Sequence, residues 1–257
     1  MKILVNTIAL ICLVVFQTCN PRSSDLTSQS TEIRGVWLTN VDSDVLLTRK
    51  SISAAMQFLK DNNFNVVFPV VWNYAKTLYP SEVMDSLFGA SINPLYKSRD
   101  PLLEVIEESH IRGIKIIPWF EYGFSSSHKK NGGIILNKRP EWSAKDVKGN
   151  LLTKNGFEWM NAYHSEVQNF LLSLVLEVVT NYDIDGIQGD DRLPAQPVEG
   201  GYSAYTVDLY QSSHNGMNPR QDCRDPEWMR WRADRLNGFA ERLYREVKSV
   251  KPDIIVS

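Results

Sequence analysis

Short apolar runs of β-type composition alternate with longer stretches of helical periodicity, and this alternation constrains the fold more than any other feature of the chain. "IRGVWLTN" (33–40), "FNVVFPVVW" (64–72), "IKIIPWFE" (114–121), "DIDGIQGD" (183–190) and "DIIVS" (253–257) read as strands. Between them, residues 51–63 read as a helix with Ser51 as its N-cap. Residues 99–113 read as another, with Asp100 as N-cap, Pro101 at the first helical position and Gly113 at the far end. Residues 165–182 open with Ser165 and Gln168 in capping-box spacing, and residues 225–250 form a long amphipathic pattern. Strands that are apolar almost throughout are buried on both faces, which implies a parallel sheet covered by helices.

Long loops follow the second, third and fourth strands, whereas those entering strands are short. The longest runs from Tyr122 to His164, with "KDVKGN" as a turn. Elaboration confined to the strands' carboxyl ends is the habit of a (β/α)8 barrel. A doubly wound sheet would carry a Gly-rich phosphate loop after its first strand, and "WLTNVDSD" has none. The expected fold is therefore α/β, of the (β/α)8 TIM-barrel type, truncated after about five of the eight strands a barrel needs.

The first residues stand apart. "MKILVNTIALICLVVFQTC" carries one lysine and then an apolar run from Ile3 to Phe16. As a helix that run would rise about 21 Å, short of a bilayer core of roughly 30 Å, so residues 1–18 read as a signal peptide. Cys19 follows in the manner of a bacterial lipoprotein cleavage site, although Phe16, Gln17 and Thr18 depart from the usual preceding residues. The expected organisation is a signal peptide (1–18), a polar tether (19–31) and the N-terminal part of a barrel (32–257). The mature chain would be exported, held to the membrane only by a lipid on Cys19, and would keep just Cys19 and Cys223, too few for a disulfide framework.

A net charge of −2 gives no reason to expect nucleic acid as a partner. The histidines at 110, 128, 164 and 214 are scattered, without metal-ligand spacing, and no P-loop or G-x-S-x-G pattern occurs. No cofactor and no metal are expected; Asp190 and Asp191 holding a divalent ion with substrate oxygens is the weaker use of those carboxylates.

"NYDIDGIQGDDRLP" (181–194) concentrates four aspartates where the fourth strand ends. A period of two puts Gly186, Gln188 and Asp190 on one face, aiming Asp190 into the barrel mouth with Asp191 just beyond. The same phase on the third strand groups Ile117, Trp119 and Glu121. Carboxyls on neighbouring strand ends suit glycoside hydrolysis, one as acid on the leaving oxygen and the other as nucleophile or base. The plainer use is Asp191 paired with Arg192, Asp190 capping a turn and Glu121 bound to an arginine or a sugar hydroxyl. Trp72, Asn73 and Tyr74 reach the same rim, where aromatic faces stack on sugars or simply fill a core. Asn161 and His164 lie just before the third helical pattern, at the entry of 165–182, as substrate contacts or as helix-entry residues.

Five segments, "EIRGVWLTNVDSDVL", "FNVVFPVVWNYAKTLYPS", "GIKIIPWFEYGF", "WMNAYHSEVQNFLLSLVLEVVTNYDIDGIQGDD" and "YSAYTVDLY", together resemble the bacterial glycosyl-hydrolase-like family 10 over roughly residues 31–257. The resemblance implies a TIM-type barrel in an exported, often lipid-anchored protein that acts on glycans such as peptidoglycan strands. The family's D-G-I-x-x-D pattern falls on Asp185, Gly186, Ile187 and Asp190, and its third-strand acid on Glu121. It implies Asp190 as nucleophile or stabiliser and Glu121 as the candidate acid; Asp191 as a further catalytic carboxylate, and Trp72, Asn73, Trp119, Asn161, His164 and Gln188 as substrate contacts, are expected from their places at strand ends and helix entry. The family's domain continues past the point matching "KPDIIVS", so a fragment or a decayed copy is expected. A non-catalytic glycan-binding lipoprotein is the rival from another class; an inactive truncated product would be insoluble on expression.

Overall fold

Five strands pair in parallel and in sequence order: β1 (Gly35–Leu38), β2 (Val66–Pro69), β3 (Lys115–Ile116), β4 (Gly186–Ile187) and β5 (Ile255–Val256). These come from a computed structural model that describes residues 32–257, so the leader, the tether and Cys19 lie outside the described residues. β3 and β4 are joined through the Trp119–Gln188 bridge and the bonds Asp185 N–H to Ile116 O and Phe120 N–H to Gln188 O, each 2.9 Å. Among the described residues the sheet does not close on itself.

The strand phase follows the period of two. Gly35 and Trp37 on β1 face Phe68 on β2; the Trp37 and Phe68 rings stack at 4.9 Å, and a Cβ at Gly35 would lie 2.5 Å from the Phe68 ring. Val66, Phe68 and Ile117 cluster with Trp119 on this inner face, and Gly186 leaves room for Ile117 beside it. The opposite face carries Leu38, Val67, Ile116 and Ile187 into the main core.

Helices cover that outer face. α1 (Arg49–Asp61) buries Ile52, Met56 and Leu59, spaced to share one side, and packs on α3 (Pro101–His110). The short α2 (Glu82–Phe88) precedes α3 and was not legible as a helix. α4 (Gly133–Lys138) lies inside the long loop after β3. α5 (Ser165–Asn181) buries Val167, Phe170, Leu171, Leu174, Val175 and Val178 and packs against the last helix. α6 (Ala204–Ser213) also went unread, and α7 (Pro226–Val250) matches its expected span with Asp225 as N-cap. None of the helices among the described residues is long and apolar enough to cross a membrane.

Two expected caps are corrected. Thr48, not Ser51, caps α1: its Oγ1 accepts from Ser51 N–H at 3.0 Å, and Ser51 returns the bond to Thr48 N–H at 3.1 Å. Ser51 is thus the partner inside the box, a role that a small hydroxyl three residues on can play. His164, not Ser165, caps α5, its Nδ1 accepting from Glu166 N–H at 3.2 Å. Gln168 instead donates to Ala162 O at 2.7 Å, so the Ser165–Gln168 box does not form.

Residues 122–164 are not a loop throughout. A three-stranded antiparallel sheet (Ser125–His128, Phe157–Trp159, Thr153–Lys154) rises from the end of β3, and 146–150 is the turn expected there. The buried Glu158 carboxylate organises it, accepting from the Ser127 hydroxyl and from the backbone N–H groups of Lys130, Asn131 and Gly132. Burial opposes its charge, but these donors overcome burial and hold its pKa below the ordinary value. A depressed carboxyl contributes stability above its unfolded pKa and loses it as pH falls through the folded one. Glu158→Gln is expected to cost about 1–3 kcal/mol in urea denaturation at neutral pH, a gap that narrows as acid protonates Glu158 in the parent.

Candidate active site

Gly189, Asp190, Asp191 and Arg192 leave β4 in a tight turn closed by Leu193 N–H on Asp190 O at 2.9 Å. The turn is pressed against the end of β3. Gly123 has φ +45°, and a Cβ there would lie 2.1 Å from the carbonyl oxygen of Arg192; Phe124 N–H donates to that same oxygen at 2.9 Å. Glycine at 123 therefore lets the two strand ends touch backbone to backbone.

Arg192 joins the carboxylates. Its Nε donates to Glu121 O at 2.9 Å, and its guanidinium lies 4.7 Å from the Phe157 ring centroid. Nη2 is 3.7 Å from Glu121 Oε1 and 3.5 Å from Asp190 Oδ2, and Nη1 is 3.4 Å from Asp191 Oδ1. Through that shared Nη2 the Glu121 and Asp190 oxygens lie within roughly 7 Å of each other, compatible with glycosidase carboxyl spacings.

The two partly buried carboxyls are supplied unequally. Asp190 Oδ2 accepts from Trp119 Nε1 at 3.1 Å, and Oδ1 accepts from Asp191 N–H. Glu121 Oε2 is buried with no hydrogen-bond partner among the described residues. Burial raises the Glu121 pKa; Arg192 opposes the rise, while Asp190 and Asp191 add to it. Burial also raises Asp190, with the Asp191 carboxyl adding and the Asp191 N–H and Arg192 opposing. Asp190 has the donors that favour an anion, and Glu121 has an orphaned oxygen that favours holding a proton.

The structure brings Asp190, Glu121, Asp191, Trp119 and Gln188 together at the carboxyl ends of β3 and β4. Asp191 is the outlier in environment, its side chain 76% exposed. Gln188 accepts from Trp37 Nε1 at 2.7 Å, and Trp37 remains half exposed on the inner face. The remaining expected substrate contacts point elsewhere. Trp72 is fully buried, donates to Gly123 O at 3.0 Å and meets Phe170 edge-on, so it fills the core. Asn73 is buried and donates to Asn40 Oδ1 at 2.8 Å. Asn161 is buried in a network with Ser203 and Thr206, and His164 caps α5 with its ring stacked on Tyr205. Burial lowers the His164 pKa.

Sequence reasoning passed over two contributors. Arg192 was paired with Asp191 alone, although its place right after two aspartates made it the nearest cation to both. Trp37 shares the phase of Gly35 on β1, a signal open to the same period-of-two reading.

A parallel, helix-covered sheet with paired acids at its carboxyl end defines a TIM-barrel-type α/β protein. Residues 32–257 match the glycosyl hydrolase-like 10 family, and the chain belongs to that family. It is 26% identical over 254 residues to glycosyl hydrolase DigH of Escherichia coli K12, covering 89% of this chain and 55% of DigH. To glycosyl hydrolase YngK of Bacillus subtilis it is 27% identical over 244 residues, covering 86% of this chain and 43% of YngK. The chain thus spans about half the length of these curated relatives. Among solved structures, α-L-fucosidase isoenzyme 2 from Paenibacillus thiaminolyticus matches with TM-score 0.64 at 20% identity, over 88% of this chain and 32% of that one. The PgaB (BpsB) glycoside hydrolase domain from Bordetella bronchiseptica matches with TM-score 0.62 at 13% identity, over 88% and 64%. These structures share the fold.

Proposed function

We propose that this chain provides the carboxylate-bearing part of a cell-envelope glycoside hydrolase acting on glycans such as peptidoglycan strands. Asp190 serves as nucleophile or charge stabiliser, and Glu121 as the general acid. The observation that carries this reading is the unequal pair on Arg192: two neighbouring, partly buried carboxyls, one supplied with donors and one with an orphaned oxygen. Environments that differ in this way separate acid from base. Export and a lipid on Cys19 would place the site at the envelope, where such glycans are found.

The same arginine favours a second reading. A guanidinium shared by both carboxyls offsets part of their charge, which suits glycan binding without cleavage.

Both readings are tested by incubating the chain with purified peptidoglycan glycan strands and following soluble sugar release from about pH 4 to pH 8. Cleavage needs Asp190 ionised and Glu121 protonated. Activity is therefore expected to fall in acid as Asp190 gains a proton, and to fall again as pH rises through the raised Glu121 pKa. A rate that keeps climbing to pH 8 would remove Glu121 as the acid. Strands retained on the protein with no release at any pH would leave the binding reading.

A further inference from the structure

Beside the carboxylate pair, the inserted antiparallel sheet and the loop after β4 enclose a cleft of about 310 Å³ whose lining includes Asp191 and Arg192. Three of the eight buried side-chain atoms that lack a hydrogen-bond partner among the described residues belong to this one cleft. Trp159 is only 5% exposed, and its indole N–H has no acceptor. Gln196 Oε1 accepts from Ala162 N–H at 2.8 Å, which fixes the amide so that its NH2 end is the one without a partner. Glu199 Oε1 is held by Lys154 Nζ at 2.6 Å, while Oε2 is buried and unpartnered. Gly200 keeps this corner open, since a Cβ there would lie 2.5 Å from Gln196 Nε2.

Buried polar groups are ordinarily satisfied, so three exceptions around one cleft call for an explanation. Two N–H donors and one carboxylate acceptor are the complement of a secondary amide, whose carbonyl accepts and whose N–H donates. Phe157 adds an apolar wall for the amide's methyl group. A hydroxyl can also accept twice and donate once, but it gathers all three bonds at one oxygen and brings no methyl group to the apolar wall.

We propose that this cleft is a sugar subsite that recognises an acetamido substituent, its carbonyl taken by Trp159 and Gln196 and its N–H by Glu199. The sugar so held lies next to Asp190 and Glu121. This assignment rests on reading the carboxylate pair as a glycan site.

The test is calorimetric titration of the full chain with triacetylchitotriose and with cellotriose, which carries hydroxyls in place of the acetamido groups. The acetylated trisaccharide is expected to bind at least about tenfold more tightly. Trp159→Phe keeps an aromatic ring without the N–H, and Gln196→Leu removes the second donor. In either folded variant the preference should shrink to about threefold or less; should one variant fail to fold, the other carries the test. Equal affinity for the two sugars, no binding of either, or a full preference in every folded variant would overturn the proposal. Preferential binding with the trisaccharide recovered uncleaved would count against the hydrolase reading and leave the subsite standing. Cleavage of glycan strands without an acetamido preference would do the reverse.

Discussion

Asp190→Asn is expected to lower glycan turnover by about 10³-fold or more while the folded state survives. Asparagine keeps the shape of the side chain and can still accept from Trp119 Nε1 or Asp191 N–H, so the turn that carries it should persist. What it loses is the negative charge that faces an oxocarbenium-like transition state. The sign of the stability change follows from the titration. A carboxyl whose pKa is raised in the folded protein binds its proton more tightly there than in the unfolded chain. Ionising it near neutral pH therefore costs stability, and a neutral isostere does not. Arg192 keeps Glu121 and Asp191 as partners. Turnover on peptidoglycan strands and a thermal melt, read side by side, check this. Retained turnover at unchanged stability would remove Asp190 from the chemistry.

Gly123→Ala should produce the largest loss of stability, on the order of 3–4 kcal/mol. The new methyl would lie 2.1 Å from Arg192 O, 2.3 Å from Arg192 C and 2.9 Å from Leu193 N. All three are backbone atoms, so no side-chain rotation can relieve the contact, and φ of +45° already disfavours any residue with a Cβ. The two strand ends would have to separate, breaking the Phe124 N–H to Arg192 O bond and pulling the guanidinium from Glu121. Turnover should fall together with stability. Urea denaturation is the check; a cost under about 1 kcal/mol would mean that the two loops part easily.

Much of the scaffold was legible because it rests on local periodicity. The five strands, their parallel arrangement and the inward phase of Gly186, Gln188 and Asp190 follow from apolar runs and a period of two. α3 and α7 announced themselves through Asp-Pro at their starts and a sustained amphipathic pattern. α2 did not, being only seven residues long; α6, as long as α3, has no Asp-Pro start and buries only Thr206 and Tyr210, so no apolar stripe marks it. The antiparallel sheet between 125 and 159 was missed for a different reason. Its cohesion comes from one carboxylate, Glu158, that reaches backbone groups some thirty residues away.

The candidate site divides in the same way. Asp190 and Glu121 could be placed at the mouth from strand phase alone, because a strand's geometry carries side-chain direction to its end. Trp72, Asn73, Asn161 and His164 could not be sorted: an indole, an amide or an imidazole near a strand end or helix entry serves a core, a cap or a sugar equally well until its neighbours are known. By itself, then, the sequence determined the family, the parallel α/β scaffold and the two strands that bear the acids, since each is written in local pattern or in motifs kept in order. Only the tertiary structure decided that one arginine spans three carboxylates, that Glu121 has an orphaned oxygen, and that Trp159, Gln196 and Glu199 share a cleft. Those facts depend on contacts between residues far apart in the chain, and such contacts leave no periodic trace in the sequence.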